Sequence, residues 1–269
     1  MGTSGLYRAV SISSFKRYAT YRAATAAGVF TNTVFGFILA YTFVALWDER
    51  PGLGGYDQAQ ALTFVWVGQG LIGAVALLGG GFHEELQERI RTGDIAIDLY
   101  RPADLQLWWL ASDLGRGAFQ LLGRGIGPMV AGALAFDLAL PANPLTWLWF
   151  LVAVVLGITV SFALRYLAAL AAFWLLDGSG INMVSTISSI FFSGMLLPLT
   201  VFPGAFGEVV RWLPWAAMLQ VPADVLLGRH AGVGVVGAFA FSAAWALVLL
   251  LLGRALQAAA TRRVVAQGG

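Results

Sequence analysis

The sequence has no cysteine, one lysine and two histidines among its 269 residues. Without thiols there is neither a disulfide framework nor a thiolate metal site. His83 and His230 stand far apart beside different apolar spans, so no histidine-based metal cluster is expected. With Lys16 as the sole lysine, no G-x-x-x-x-G-K-[ST] phosphate loop can be written, and no G-x-S-x-G occurs either. Charge is scarce as well. Only 11 % of residues are charged, about half the share of an average soluble domain.

What the chain has instead is hydrocarbon. It is 59 % hydrophobic, with a mean hydropathy of +0.77, which is the composition of a polytopic membrane protein. Ten tryptophans, mostly near the ends of apolar runs, fit interfacial belts. No cleavable leader is expected, because the first apolar span starts about two dozen residues in and no small-residue cleavage site follows it.

Six spans are expected, at about 24–46, 59–82, 114–140, 145–176, 181–201 and 233–256, since about 20 helical residues cross the hydrocarbon core. Residues 1–23 form a separate surface helix in this reading, with Leu6, Tyr7, Val10, Tyr18 and Tyr21 on one side and Arg8 and Lys16 opposite. Arg17 falls on the apolar side and would have to snorkel. The segment 103–112 is expected to skim the interface before the third span, and 177–180 to make a tight turn. Between 203 and 232 the pieces 205–213 and 215–227, bounded by Pro203, Pro214 and Pro222, are too short to cross and suggest a re-entrant hairpin. Six crossings put both termini on one side. By the positive-inside rule that side is cytoplasmic, leaving Arg50, Arg211 and Arg229 facing out.

The charge that exists is concentrated in residues 83–102, HEELQERIRTGDIAIDLYRP. A run this polar must project into water, on the cytoplasmic side. Glu85 precedes Arg89 by four residues, the favourable order for a helical ion pair, and Leu86 and Ile90 form an apolar pair able to meet a partner. Gly93 is placed to stop the helix and Asp94 to cap a second turn that Pro102 ends. Either a solvated loop or a docking element would read this way.

Other signals are weaker. Gly68-Gln69-Gly70-Leu71-Ile72-Gly73 matches G-x-G-x-x-G, but no strand precedes it, so its glycines are read as points of close helix approach, as are Gly123 and Gly127. His83-Glu84 begins a zincin-like motif that fails where Gln87 replaces the second histidine. Polar residues inside spans are few: Thr31, Asn32, Thr33, Gln69, Asn182 and the serines Ser185, Ser188, Ser189 and Ser193. The serines share or adjoin one helical face, which suits either close packing or a substrate path between subunits. Arg165 is expected to snorkel, and Asp113 with Arg116 to form an interfacial pair.

The layout resembles that of the membrane subunits of type-2 ABC exporters. The local matches are ERIRTGDIAIDLYRP from Glu88 to Pro102, SGMLLPLTVFP from Ser193 to Pro203 and LPW from Leu213 to Trp215. The resemblance spans essentially the whole chain. It implies an all-α integral membrane fold with six transmembrane helices over 24–269, an N-terminal amphipathic helix, a cytoplasmic coupling helix and an extracytoplasmic re-entrant hairpin before the last helix. It further implies a bacterial cytoplasmic-membrane permease that is no enzyme and binds no cofactor itself, with ATP and magnesium on a separate cytoplasmic ATPase subunit. A second permease, identical or similar, would complete the dimer, and no nucleic acid is involved. Exported cargo would be an amphipathic drug-like, viologen-like, lipid-like or peptide substrate. Carried over, Glu84, Glu85, Leu86, Glu88, Arg89, Ile90, Arg91, Asp94 and Arg101 would contact the ATPase. Thr31, Asn32, Gln69, Ser185, Ser188, Ser189 and Ser193 would line the translocation path or dimer seam. The alternative is an ATPase-independent channel or scaffold.

Overall fold

The computed structural model describes residues 3–175, 178–230 and 232–267, with side chains up to Arg262. Leu176 and Asp177, on which the expected turn at 177–180 rests, lie outside the described residues, as does the side chain of Arg263. Among the described residues every regular element is helical: α1 (Thr3–Ala19), α2 (Arg22–Glu49), α3 (Gln58–Leu71), α4 (Phe82–Thr92), α5 (Ile95–Tyr100), α6 (Leu105–Phe119), α7 (Ile126–Ala135), α8 (Pro144–Leu170), α9 (Ser179–Phe192), α10 (Gly204–Trp212), α11 (Gln220–Leu226) and α12 (Val233–Gln267).

Three helical stretches are long and apolar enough to cross a membrane: Arg22–Glu49, Pro144–Phe173 and Val233–Arg262. They coincide with the first, fourth and sixth expected spans. The second expected span is not one continuous helix. A capping box starts α3, Gln60 N–H donating to Asp57 at 2.8 Å while Asp57 N–H donates to the Gln60 side chain at 3.2 Å. The helix then stops at Leu71, and residues 72–81 leave it through left-handed backbone at Ala76 (φ 48°), Gly79 (85°), Gly80 (81°) and Gly81 (101°). Three successive glycines supply that handedness without a Cβ penalty.

A break inside an apolar bundle survives only if the freed carbonyls find donors. Arg116 of α6 supplies two, donating to the Gly73 and Ala74 carbonyls at 2.6 and 2.9 Å. The Ser161 hydroxyl of α8 donates to the Val75 carbonyl, and Arg165 donates to that of Gly80 at 3.4 Å. Both arginines in turn bind one carboxylate: Asp113 accepts from Arg116 at 2.6 Å and from Arg165 at 2.5 Å. All three side chains are buried. The expected snorkelling of Arg165 and the expected interfacial Asp113–Arg116 pair therefore give way to one interior cluster. Its formal excess of one positive charge faces the carbonyl end of α3, where the helix dipole is negative.

The third expected span also differs. Its helix begins at Leu105, where Asp104 caps it by accepting from Leu107 N–H at 2.8 Å, so most of the segment expected to skim the interface is already α6. A π-turn, Gln120–Gly125, joins α6 to α7. It opens the hydrogen-bond ladder just ahead of Pro128, whose ring would otherwise press on the carbonyl of residue 124. The fifth expected span is shortened. Helix α9 ends at Phe192, and Gly194 (φ 94°) and Pro198 turn the chain away.

Glycine does bring helices together as the sequence suggests. A Cβ on Gly125 would strike the Gly70 carbonyl, and one on Gly73 would press on Gln120 at 2.9 Å. The Trp66 ring lies in a slot between Gly36 of α2 and Gly132 of α7. Gly123, by contrast, faces its own helix at Phe119. Helix α1 forms as expected but packs along α6 through small residues, with the Ser11 hydroxyl donating to the Ala111 carbonyl at 2.7 Å and the Ser11 backbone against Gly115. Phe15 meets Phe119 edge-on with centroids 5.5 Å apart. Tyr21 stays 64 % exposed, outside the expected apolar face.

Removing one partner of a buried ion pair costs about 3–5 kcal/mol, whereas an exposed pair contributes at most about 1 kcal/mol. Asp113→Asn is accordingly expected to lower the thermal midpoint in detergent steeply, and Glu88→Gln, which opens the exposed Glu88–Arg91 pair, to leave it nearly unchanged.

Candidate functional site

Helices α4 and α5 form the polar element at one end of the bundle. Gly93 (φ 84°) ends α4 in the left-handed conformation that favours glycine, as the sequence predicts. Asp94 precedes α5 but does not cap it with its side chain; it accepts from the Thr92 hydroxyl at 3.1 Å instead. The ion pairs are also redistributed. Glu85 reaches Arg17 of α1 at 3.6 Å, while Arg89 grips Asp98 of α5 through two bonds of 2.5 and 2.9 Å, and Arg101 adds a contact at 3.1 Å. The bidentate clasp folds α5 back onto α4 and holds the Arg89 guanidinium above its usual pKa, mainly through the hydrogen bond to Asp98.

Which side of this element faces out follows from burial. Leu86 is fully buried and Ile90 packs against the core, so the apolar pair expected to meet a partner instead anchors α4 to its own subunit. The exposed surface carries Glu84, Glu85, Glu88, Arg91, Asp94 and Arg101 around two apolar side chains that the sequence reading passed over, Ile97 (59 % exposed) and Tyr100 (91 %). Their signal was present: both lie in an apolar-polar run whose other members, Ile95 and Leu99, take the inward positions.

At the root of α4, His83 is buried against Arg165 and Phe82. Burial first, and the Arg165 charge second, hold its imidazole below the usual range; Glu84, Asp113 and the Gly80 backbone pull the other way without prevailing. Beside it Gln87 and Asn182 exchange reciprocal hydrogen bonds of 2.9 and 2.8 Å, tying α4 to α9. Gln87 also reaches the Ala168 carbonyl of α8 at 3.4 Å. Gln87 stood out in the sequence only as the residue that spoils a metal motif.

The residues expected at a seam or path separate by depth. Thr31 is exposed on α2, but its hydroxyl is spent on the Ala27 carbonyl at 2.9 Å. Asn32 is buried and donates to the Gln69 carbonyl at 3.2 Å, and Gln69 is itself fully buried within the subunit. Ser193 and Ser189 are buried, Ser185 and Ser188 partly so. Ser185 and Ser189 turn toward His83, Arg165 and Asn182. Ser189 and Ser193 thus face the interior of this chain. What α9 exposes is apolar, Met183, Val184, Ile187 and Phe191, and α2 likewise shows Phe30, Phe35, Ile38 and Tyr41.

Long apolar helices, a buried ionic cluster and a charged two-helix element at one end define, among the described residues, an all-helical membrane protein. A family model described as ABC-2 family transporter protein matches residues 29–268, and the chain belongs to that family. Its members are membrane subunits of transporters rather than enzymes, and they generally pair with an ATPase. No curated protein and no solved structure matches the chain.

The sign of the His83 shift sets a pH dependence. Its folded-state pKa lies below the unfolded value of about 6.5, so its stabilisation is complete above that pH and is lost as pH falls through it. His83→Gln is expected to flatten the decline in unfolding free energy between roughly pH 7 and 5.5, by no more than about 1.4 kcal/mol per pH unit, read from denaturation at each pH.

Proposed function

We propose that this chain is the membrane subunit of an ATP-driven exporter in the bacterial cytoplasmic membrane, with α4 and α5 on the cytoplasmic side as the element that docks into the ATPase. The observation that carries this reading is Tyr100, almost wholly exposed at the tip of a charged element. A large aromatic presented to water among charges has the character of an interface anchor, while the surrounding charges set partner and orientation. The Arg89–Asp98 clasp preorganises that surface, so little ordering is left for docking.

Family membership supports the ATPase pairing. Export, and an amphipathic drug-like, lipid-like or peptide cargo, rest on the resemblance of the 88–102 and 193–203 segments to exporter subunits. A second permease would cover the apolar faces of α2 and α9, where aromatic and aliphatic side chains stand exposed side by side along each helix. Gln87 and Asn182 then link the docked element to that seam: a displacement of α4 acts on α9 through two hydrogen bonds rather than through the interrupted second span.

Two experiments follow. Affinity purification in mild detergent from the native host is expected to recover a Walker-motif ATPase. Tyr100→Ala together with Glu88→Lys should reduce recovery at least about tenfold while the thermal midpoint holds, as removal of an anchor worth about 1.4 kcal/mol or more requires; unchanged recovery removes this surface from the interface and leaves the channel or scaffold reading. Asn182→Leu is expected to retain the ATPase but to weaken the coupling of hydrolysis to transport in proteoliposomes, with loss of one exchanged pair costing about 1–2 kcal/mol of stability.

A further inference from the structure

At the end of the bundle opposite α4, a cavity of about 1080 Å³ opens between α10 and α12. Its floor is built, not incidental. Asp224 of α11 accepts from the Tyr56 hydroxyl and from Gln220 at 2.8 Å, Arg229 approaches it at 3.4 Å, and Gln220 in turn accepts from Leu199 N–H at 2.7 Å. These contacts fix the hairpin to the loop after α2 and hold the floor rigid.

The two walls differ in chemistry. Helix α10 presents Glu208 and Arg211, paired at 2.5 Å yet 68 and 41 % exposed along their side chains, so each keeps capacity to bind further charge. Trp212 follows them, its carbonyl accepting from the Trp245 indole at 3.0 Å. Helix α12 presents an apolar trough through Gly234, Gly237, Phe241, Ala244 and Val248. Those positions recur every three or four residues on one face and cover about 21 Å of helix axis, more than the roughly 15 Å depth of one leaflet of hydrocarbon. A Cβ placed on Gly237 would meet nothing within 4 Å, so the trough there is open space rather than a packed contact. The Thr200 hydroxyl, also on the lining, is buried with no hydrogen-bond partner.

We propose that this trough is a binding site for a zwitterionic phospholipid of the bilayer, one acyl chain lying along α12 and the headgroup against α10. Charge complementarity selects that class. A phosphate fits Arg211 and an ammonium fits Glu208, with the neighbouring indoles offering faces to the same cation. A purely anionic lipid would leave the exposed Glu208 carboxylate unanswered, and a neutral diacylglycerol would leave both members of the ion pair so. The existence of the site requires only that the chain sit in a membrane, not that it export anything.

Native mass spectrometry of the full-length detergent-purified protein, titrated separately with dioleoyl phosphatidylethanolamine, dioleoyl phosphatidylglycerol and dioleoylglycerol, tests the proposal. One phosphatidylethanolamine should be retained about tenfold more tightly than either other lipid. Gly237→Leu fills open space and improves helix propensity, so it should fold normally and abolish that retention. Glu208→Gln with Arg211→Gln should erase the headgroup preference while leaving acyl-chain binding. Equal affinity for all three lipids in the wild type overturns the proposal, as does undiminished retention in Gly237→Leu. Thermal midpoints of both variants within a few degrees of wild type exclude misfolding as the cause of a loss.

Discussion

Two arginines share one buried aspartate, and the break in the second apolar stretch depends on that arrangement. A guanidinium has five donors in a rigid fork, and Arg116 divides its donors between Asp113 and two carbonyls freed where α3 ends. Arg165 does the same for Asp113 and the far side of the break at Gly80. Without the carboxylate the two cations would repel each other in a medium of low dielectric. Without the arginines, the buried Ala74 carbonyl would lose its side-chain donor, and those of Gly73 and Gly80 would lose theirs. The charges and the irregular backbone therefore stabilise each other, each supplying what the other lacks.

From this cluster the rest of the charged end takes its position. Arg165 stacks over the Phe82 ring at 5.1 Å, which seats the first residue of α4. His83 follows, buried, then Leu86, so that one face of α4 is committed to the subunit. The opposite face is left to solvent, and the clasp from Arg89 to Asp98 adds α5 to it. A sequence this poor in charge has spent much of it on two tasks: three ionisable groups to hold a break, and the segment 83–102 to present a surface.

Local chemistry was legible in the sequence and distant pairing was not. The stop at Gly93, the short proline-bounded pieces after 203 and the three long spans each follow from residues within one or two turns of the feature. Arg165 was misread because its partner lies 52 residues away on another helix, and nothing in periodicity names it. Glu85 and Arg89 have the right spacing for each other, yet stronger geometry from Asp98 and a reachable Arg17 win both of them. Leu86 and Ile90 were correctly placed on one face; periodicity gives the face and says nothing of which body covers it. The break at 72–81 was hidden because its residues are as apolar as a helix interior, and only the run Gly79, Gly80, Gly81 hinted at it. In the same way spacing put the serines of α9 on or beside one face without naming what covers Ser189 and Ser193.

The interrupted second stretch has a mechanical corollary. A continuous helix from Asp57 to Thr92 would behave as a stiff rod, and any push at its charged tip would arrive undiminished at the far end. Residues 72–81 interrupt that rod, and Arg116, Ser161 and Arg165 tie them sideways to α6 and α8, so lateral bonds rather than one helix axis join the charged end to the bundle.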